Sequence, residues 1–281
     1  MNQNYHIRNL TPDEVSIPIE WARYEGWNPG LYDALSHYPV DPSGWFCAEL
    51  DGEIIGTAVA VNYDAAFSFG GFYIVKKQFR DHGVGWDLVR AMNNHIGDRN
   101  FGIDGVFEMQ EKYREKMGMI FAYRNIRWQG ISSGIEQPDL VLATNVPFDS
   151  LLRYDTAHFP AERKIFLENW IRQPEGTAQV KLDRDEKIRG YGVIRKCYEG
   201  HKIGPIFAEN PLIADEIFEG LTSTVPGEVI FFDTPEPNNE AVRMAQKRQM
   251  TEVFGTARMY TKMIPGLPVH EIFGVTTFEL G

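Results

Sequence analysis

Two cysteines in 281 residues, Cys47 and Cys197, stand far apart in the chain. That leaves neither a CxxC site nor a disulfide framework, and both read as small buried hydrophobes. Basic residues are also short: 28 Lys and Arg against 39 Asp and Glu give a formal net charge of -11. Such a surface repels a phosphate backbone, so nucleic acid is excluded as a non-specific partner, and any anion must be met by a local basic patch. There is no run of 18 consecutive apolar residues, and the opening MNQNYHIRNL has no basic stretch followed by an apolar one. The expectation is a soluble, cytoplasmic protein with no membrane partner. No histidine pair four residues apart and no His/Asp/Glu cluster points to a metal, so none is expected. ISSG (131–134) falls short of the G-x-S-x-G elbow of an esterase.

What is present is a chain that can build a large core, with 43% hydrophobic and 13% aromatic residues, at a length suited to two medium domains. Its two halves follow one plan. WFCAELDGEIIGTAVAVNYD (45–64) is a hairpin pattern about a D-G turn, and AQVKLDRDEKIRGYGVIRKC (178–197) has a similar form. FGIDGVFEM (101–109) precedes a charged helix and the strand-like FAYRNIRW (121–128). GEVIFFDTP (227–235) likewise precedes NNEAVRMAQKRQM and GTARMYTKM. The turn-rich ISSGIEQPDLVLATNVPFDS (131–150) reads as the connection, which sets units at 1–135 and 145–281.

The most informative stretch is YIVKKQFRDHGVGWDLVRAM (73–92). It reads as a strand over 72–76, a turn, and a helix over 86–96 whose Trp86, Val89, Met92 and Ile96 face a core. Gly83 and Gly85 let the backbone curl so that successive N–H groups converge on one point, where the helix dipole also favours negative charge. Lys76, Lys77, Arg80 and His82 crowd the same turn and supply the basic patch that an acidic protein needs to hold an anion. The alternative is an ordinary left-handed turn with solvated lysines, which G-x-G alone does not exclude.

The absent residues decide between phosphate ligands. No Lys-Ser/Thr follows either glycine, so there is no Walker A loop, and Gly83-Val84-Gly85 continues into Trp86, Asp87 and Leu88 rather than completing G-x-G-x-x-G. RDHGVG (80–85) does match the R/Q-x-x-G-x-G/A signature, and the chain from 5 to about 130 resembles the GNAT superfamily of acyl-CoA-dependent N-acetyltransferases. EGWNPGLYDA (25–34) and GIDGVFEM (102–109) resemble its tandem subgroup, in which the second unit has lost the signature, and this accounts for the repeat. The resemblance implies an α/β fold of α+β type: two tandem units, each a mixed, mostly antiparallel sheet flanked by helices. In the second unit the equivalent turn is expected around Gly204-Pro205, where Pro205 has no N–H to offer a pyrophosphate.

The same resemblance implies acetyl-CoA as cosubstrate. Ile74 and Val75 would hydrogen-bond the pantetheine arm through their backbone. Arg80, His82, Gly83, Val84 and Gly85 would cradle the pyrophosphate, and Lys76 or Lys77 would reach a phosphate. The departing thiolate needs an acid. Family members supply a tyrosine four residues before the glycine ending the fourth helix. Here that glycine is Gly118 and the position is Arg114, with Tyr113 about 100° further around an ideal helix. Tyr113 is therefore either the acid or an aromatic packed on the sheet.

For a base, GIDGVFEM (102–109) offers Asp104 and Glu108 on one strand face, roughly 13 Å apart at about 3.3 Å per residue, so at most one serves. Glu108, nearer the C-terminal end of the strand, is the candidate, with a surface carboxylate or a water relay as the alternative. WARYEGWNPGLYDALSHY (21–38) would cover the acceptor pocket. Trp21, Tyr24, Trp27 and Tyr32 would line it, with Trp27 and Tyr32 taken as substrate residues, and Glu20, Glu25 or Asp33 would attract a cationic amine. Each aromatic has core packing as its alternative role. The implied function is transfer of an acetyl group from acetyl-CoA to a primary amine of a small molecule or peptide by direct attack in a ternary complex, with a homodimer compatible with it. The second class left open is a CoA-binding sensor or scaffold without turnover.

Overall fold

The computed structural model describes residues 5–281. In the first half, β1 (His6–Asn9), α1 (Ser16–Tyr24) and α2 (Asp33–His37) lead into β2 (Trp45–Leu50), β3 (Glu53–Asn62), β4 (Phe67–Val75), α3 (Val84–Ile96), β5 (Asn100–Val106), α4 (Gln110–Met117) and β6 (Ile120–Ile131). The second half runs β7 (Leu140–Leu142), α5 (Phe148–Thr156), α6 (Lys164–Trp170), β8 (Gly176–Leu182), β9 (Ile188–Lys196), β10 (His201–Ala208), α7 (Pro211–Thr222), β11 (Val229–Pro235), α8 (Asn239–Lys247), β12 (Thr251–Tyr260) and β13 (Ile272–Gly274).

Both hairpin patterns form as read. The turn between β2 and β3 is tight because Asp51 (φ 51°) and Gly52 (φ 81°) both take the left-handed conformation that suits the twist of paired strands. Each half also contains one parallel pair joined by a helical crossover, β4–α3–β5 and β10–α7–β11. In α3 the buried face is Val84, Leu88, Val89, Met92 and Ile96. Trp86 departs from the expected core face and is 54% exposed. The helix begins two residues earlier than the pattern suggested, its buried residues centre on Met92, and Trp86 falls about 120° around the helix from there and so points outward.

All strands belong to one sheet, in the order β1-β2-β3-β4-β5-β12-β6-β11-β10-β9-β8-β7, with β13 paired to β10 off this path. β12, from the end of the chain, lies between β5 and β6 and is antiparallel to both. β6, from the first half, lies between β12 and β11. Each half thus contributes a strand to the other's part of the sheet, and the connection over 131–150 crosses to the far edge, where β7 pairs with β8. Around the first unit, α3 covers one face through Val84, Leu88 and Met92. The segment with α1 covers the other through Ile19 and Ala22, packed against Phe72 and Ile74.

Candidate active site

The parallel ladder between β4 and β5 runs only from Phe67↔Asn100 to Gly70↔Ile103. Beyond that point β4 bonds only to β3 and β5 only to β12, so the strands part. The cause is a bulge in β4: Val59 pairs with Gly71 and Thr57 with Ile74, leaving an extra residue on β4. Phe72 takes φ 47° there, a conformation an aromatic residue rarely adopts, and the Thr57 hydroxyl donates to the Phe72 carbonyl at 3.0 Å to hold it. Ile74 and Val75 pair with Thr57 and Gly56 of β3, the other edge of β4 borders the gap that β5 has left, and both residues line a cavity of about 420 Å³.

β4 leads through a short 3-10 turn, Lys77–Phe79, into α3, whose N-cap Gly83 has φ 89°. A residue with a Cβ would be strained there. The helix start has no side-chain cap, and among the described residues the N–H groups of His82, Gly83, Val84 and Gly85 have no hydrogen-bond partner. Four free donors stand at the positive end of a 13-residue helix, a geometry that favours negative charge. Gly85 lines the same cavity, and its bare Cα accommodates the Tyr73 hydroxyl.

The basic residues of the turn divide. Arg80 is a latch: its Nε donates to the Val75 carbonyl at 2.8 Å and its Nη2 to Glu25 Oε1 at 2.8 Å, joining the turn to the end of α1. His82 Nδ1 donates to the Arg80 carbonyl at 2.6 Å. Lys76 is occupied by Glu53 at 2.6 Å and lies over the Trp21 ring, whereas Lys77 is exposed with no ion pair among the described residues.

Tyr113 lines the cavity, with its ring laid on Gly105 of β5. Gly118 ends α4 in the left-handed conformation, as the sequence suggested. Burial, with Tyr73 adding to it, pushes the Tyr113 hydroxyl up to about 12, so it keeps its proton at neutral pH and can donate it. Glu108 is not beside it. β5 ends at Val106, Glu108 sits in a following 3-10 turn, exposed and outside the cavity wall, and the two-residue alternation that aligned it with Asp104 does not reach it. Asp104 does line the cavity, held by Arg258 Nε at 2.9 Å and Asn125 Nδ2 at 2.8 Å.

On the opposite face, Trp27 and Glu25 line the cavity. Tyr32 does not: its hydroxyl donates to Glu175 of the second half at 2.7 Å, which turns it away. Asp33 is likewise committed, to the buried Arg195 at 2.8 Å. Sequence reasoning missed the rest of this wall. Arg127, Phe254, Thr256, Phe278 and Glu279 enter it from β6, β12 and the C-terminal tail, and no local pattern announces them because strand exchange brings them together. Arg127 is buried and bidentate to Asp233, both contacts at 2.7 Å, and donates to the Trp27 carbonyl.

The second unit lacks the corresponding opening. Gly204 and Pro205 lie within β10 rather than at a turn, because the strand continues to Ala208. The turn that does precede α7 is closed: the Asn210 side chain accepts from Leu212 and Ile213 N–H at 3.0 and 3.1 Å, and Pro211 has no N–H. β13 fills the gap beside β10, pairing Gly274 with Ile206 and Ile272 with Phe207. Among the described residues no group of three or more His, Cys, Asp or Glu is placed to hold a metal, and no helix is long and apolar enough to cross a membrane.

Strands parted by a bulge over an uncapped helix start form the cleft of an acyl-CoA-dependent transferase fold. Two family models match the chain, an acetyltransferase (GNAT) family over residues 12–110 and an acetyltransferase (GNAT) domain over 151–274, and the chain belongs to the GNAT superfamily as a tandem member. It is 28% identical over 285 residues to a holothin acyltransferase of Pseudoalteromonas sp. (strain SANK 73390), covering 100% of this chain and 96% of that one. An acetyltransferase candidate from Pyrococcus horikoshii superposes with a TM-score of 0.83 at 21% identity, over 100% of this chain and 97% of that one. A tandem GNAT protein of the clavulanic acid pathway superposes at 0.63 and 12% identity, over 94% and 100%.

Proposed function

We propose that the chain is an acetyl-CoA-dependent N-acetyltransferase acting on a primary amine of a small molecule or peptide, with the cosubstrate held by the first unit. The observation that carries this is the row of free N–H groups from His82 to Gly85 at the mouth of the β4–β5 cleft, a cradle suited to a pyrophosphate. In this reading the edge of β4 that β5 has left, at Ile74 and Val75, meets the pantetheine arm, with the Val75 carbonyl held by Arg80, and Lys77 meets a phosphate. The amine attacks the thioester carbonyl directly, and Tyr113, the protonated hydroxyl in the cavity, gives a proton to the departing thiolate. The units are taken as 1–135 and 145–281, with the second shaping the acceptor pocket through the side chains it lends.

The test is thiol release from acetyl-CoA with amino acids, polyamines, aminoglycosides, lysine peptides and holothin, the compound for which the 28% identical relative is named. Amine-dependent release is the expected result. Tight CoA binding with no release for any amine would overturn the transferase reading.

A further inference from the structure

Residues 275–281 belong to the second unit but run beside the first unit's cavity, where Phe278 and Glu279 line it. They are tied there. The Tyr63 hydroxyl donates to the Leu280 carbonyl at 2.8 Å, the Leu280 N–H to Thr277 Oγ1 at 3.0 Å, and the Leu280 side chain is fully buried in the cluster with Ile19, Phe72 and Ile74. Gly71, beside the bulge in β4, has no Cβ where the Glu279 backbone passes. Glu279 therefore forms part of the cavity wall on the α1 face, opposite α3.

Its carboxylate is unusual among those that line the cavity. Asp104 is clasped by Arg258 and Asn125, Glu25 pairs with Arg80, and Asp81 is exposed in the turn. Glu279 is 4% exposed, and neither carboxylate oxygen has a hydrogen-bond partner. The nearest cation, Lys202 Nζ, is buried and itself without a hydrogen-bond partner; at 3.9 Å it balances the charge of Glu279 without filling its acceptor positions, and Arg127 is already spent on Asp233 and the Trp27 carbonyl. The open acceptor positions of this buried carboxylate still suit a positively charged group that donates hydrogen bonds. A primary ammonium offers both.

We propose that Glu279 is the carboxylate that receives the acceptor's ammonium and takes its proton; this rests on the transferase reading above and names the charge the acceptor must carry. The ammonium passes one proton to Glu279. The freed nitrogen lone pair forms the C–N bond at the acyl carbon, the C–S bond breaks with its electron pair left on the CoA sulfur, Tyr113 gives that sulfur its proton, and the surplus proton on nitrogen restores Tyr113. The products are the amide, CoA thiol and protonated Glu279, which returns its proton to solvent. The second unit is then required for turnover although it holds no cosubstrate of its own.

The experiment compares native protein with Glu279→Gln and Glu279→Ala. CoA affinity by calorimetry should stay within about twofold, while kcat/KM for the best amine falls at least about 100-fold, and formate should restore part of the Ala variant's activity. Saturation-transfer NMR with n-butylammonium reads the same site without turnover: saturable binding to native protein should vanish in Glu279→Gln, checked as folded by circular dichroism. Native-like kcat/KM in the Gln variant, or butylammonium binding that is absent from native protein or kept by the variant, would overturn the proposal. Loss of CoA binding by the native protein would instead sink the transferase reading.

Discussion

His37 shows how burial sets the behaviour of a single group. Its ring packs against Phe166 and Trp170, with centroids at 4.8 and 5.8 Å, and neither nitrogen has a hydrogen-bond partner. Desolvation outweighs the pull of Asp33 and pushes its pKa down from 6.5 to about 3. The ring is neutral in the fold and charges on unfolding, so its contribution is complete above about pH 6.5 and is lost as the pH falls towards 3, at about 1.4 kcal/mol per pH unit. His37→Leu should flatten the stability-pH slope by about that amount between pH 6 and 4 in denaturant titrations; an unchanged slope would mean that the ring is not buried neutral. Tyr113 carries the corresponding kinetic expectation. Tyr113→Phe should lower kcat severalfold or more with CoA affinity unchanged, and a native kcat would remove it from proton transfer. Tyr113 and Trp27, singled out from the sequence, do reach the cavity wall, because α4 and the segment after α1 are local structures. It misplaced Glu108 and Tyr32 because their directions depend on where β5 stops and on a contact with Glu175.

Among elements, the two strand-to-helix turns make a natural contrast. The turn before α3 leaves its N–H groups free and needs Gly83 at φ 89°, whereas the turn before α7 satisfies its own donors through Asn210. Gly83→Val sets a β-branched residue in a left-handed conformation at a cost on the order of 1–3 kcal/mol and should weaken CoA binding at least tenfold by calorimetry. Asn210→Ala should cost about 1 kcal/mol in denaturant midpoint and leave CoA affinity as it was. If both variants weakened CoA binding alike, the assignment of the anion site to the first turn would fail. The first turn was readable in advance because glycine spacing and basic residues are contiguous signals. The closing of the second gap by β13 was not, since its pairing with β10 spans more than sixty positions of chain.

At the scale of the whole molecule, strand exchange makes the halves interdependent. β6 has β12 on one side and β11 on the other, so a fragment of residues 1–135 would leave both edges of an apolar strand unpaired. That fragment should be unfolded or aggregated alone, while co-expression with 145–281 should recover a soluble complex that binds CoA. Independent folding of 1–135 with native CoA affinity would refute this. The sequence by itself determined the class of fold, the repeat of its plan, and the glycine turn before α3, because hairpin alternation, helical periodicity and glycine spacing act over a few residues at a time. Only the tertiary structure decided that β12 enters the first unit, that the second cleft is filled, and that Arg127, Phe254 and Glu279 share a wall with Trp27. Those outcomes follow from how strands compete for partners across the whole sheet, where each edge must be paired or covered and no local window of sequence holds all the competitors.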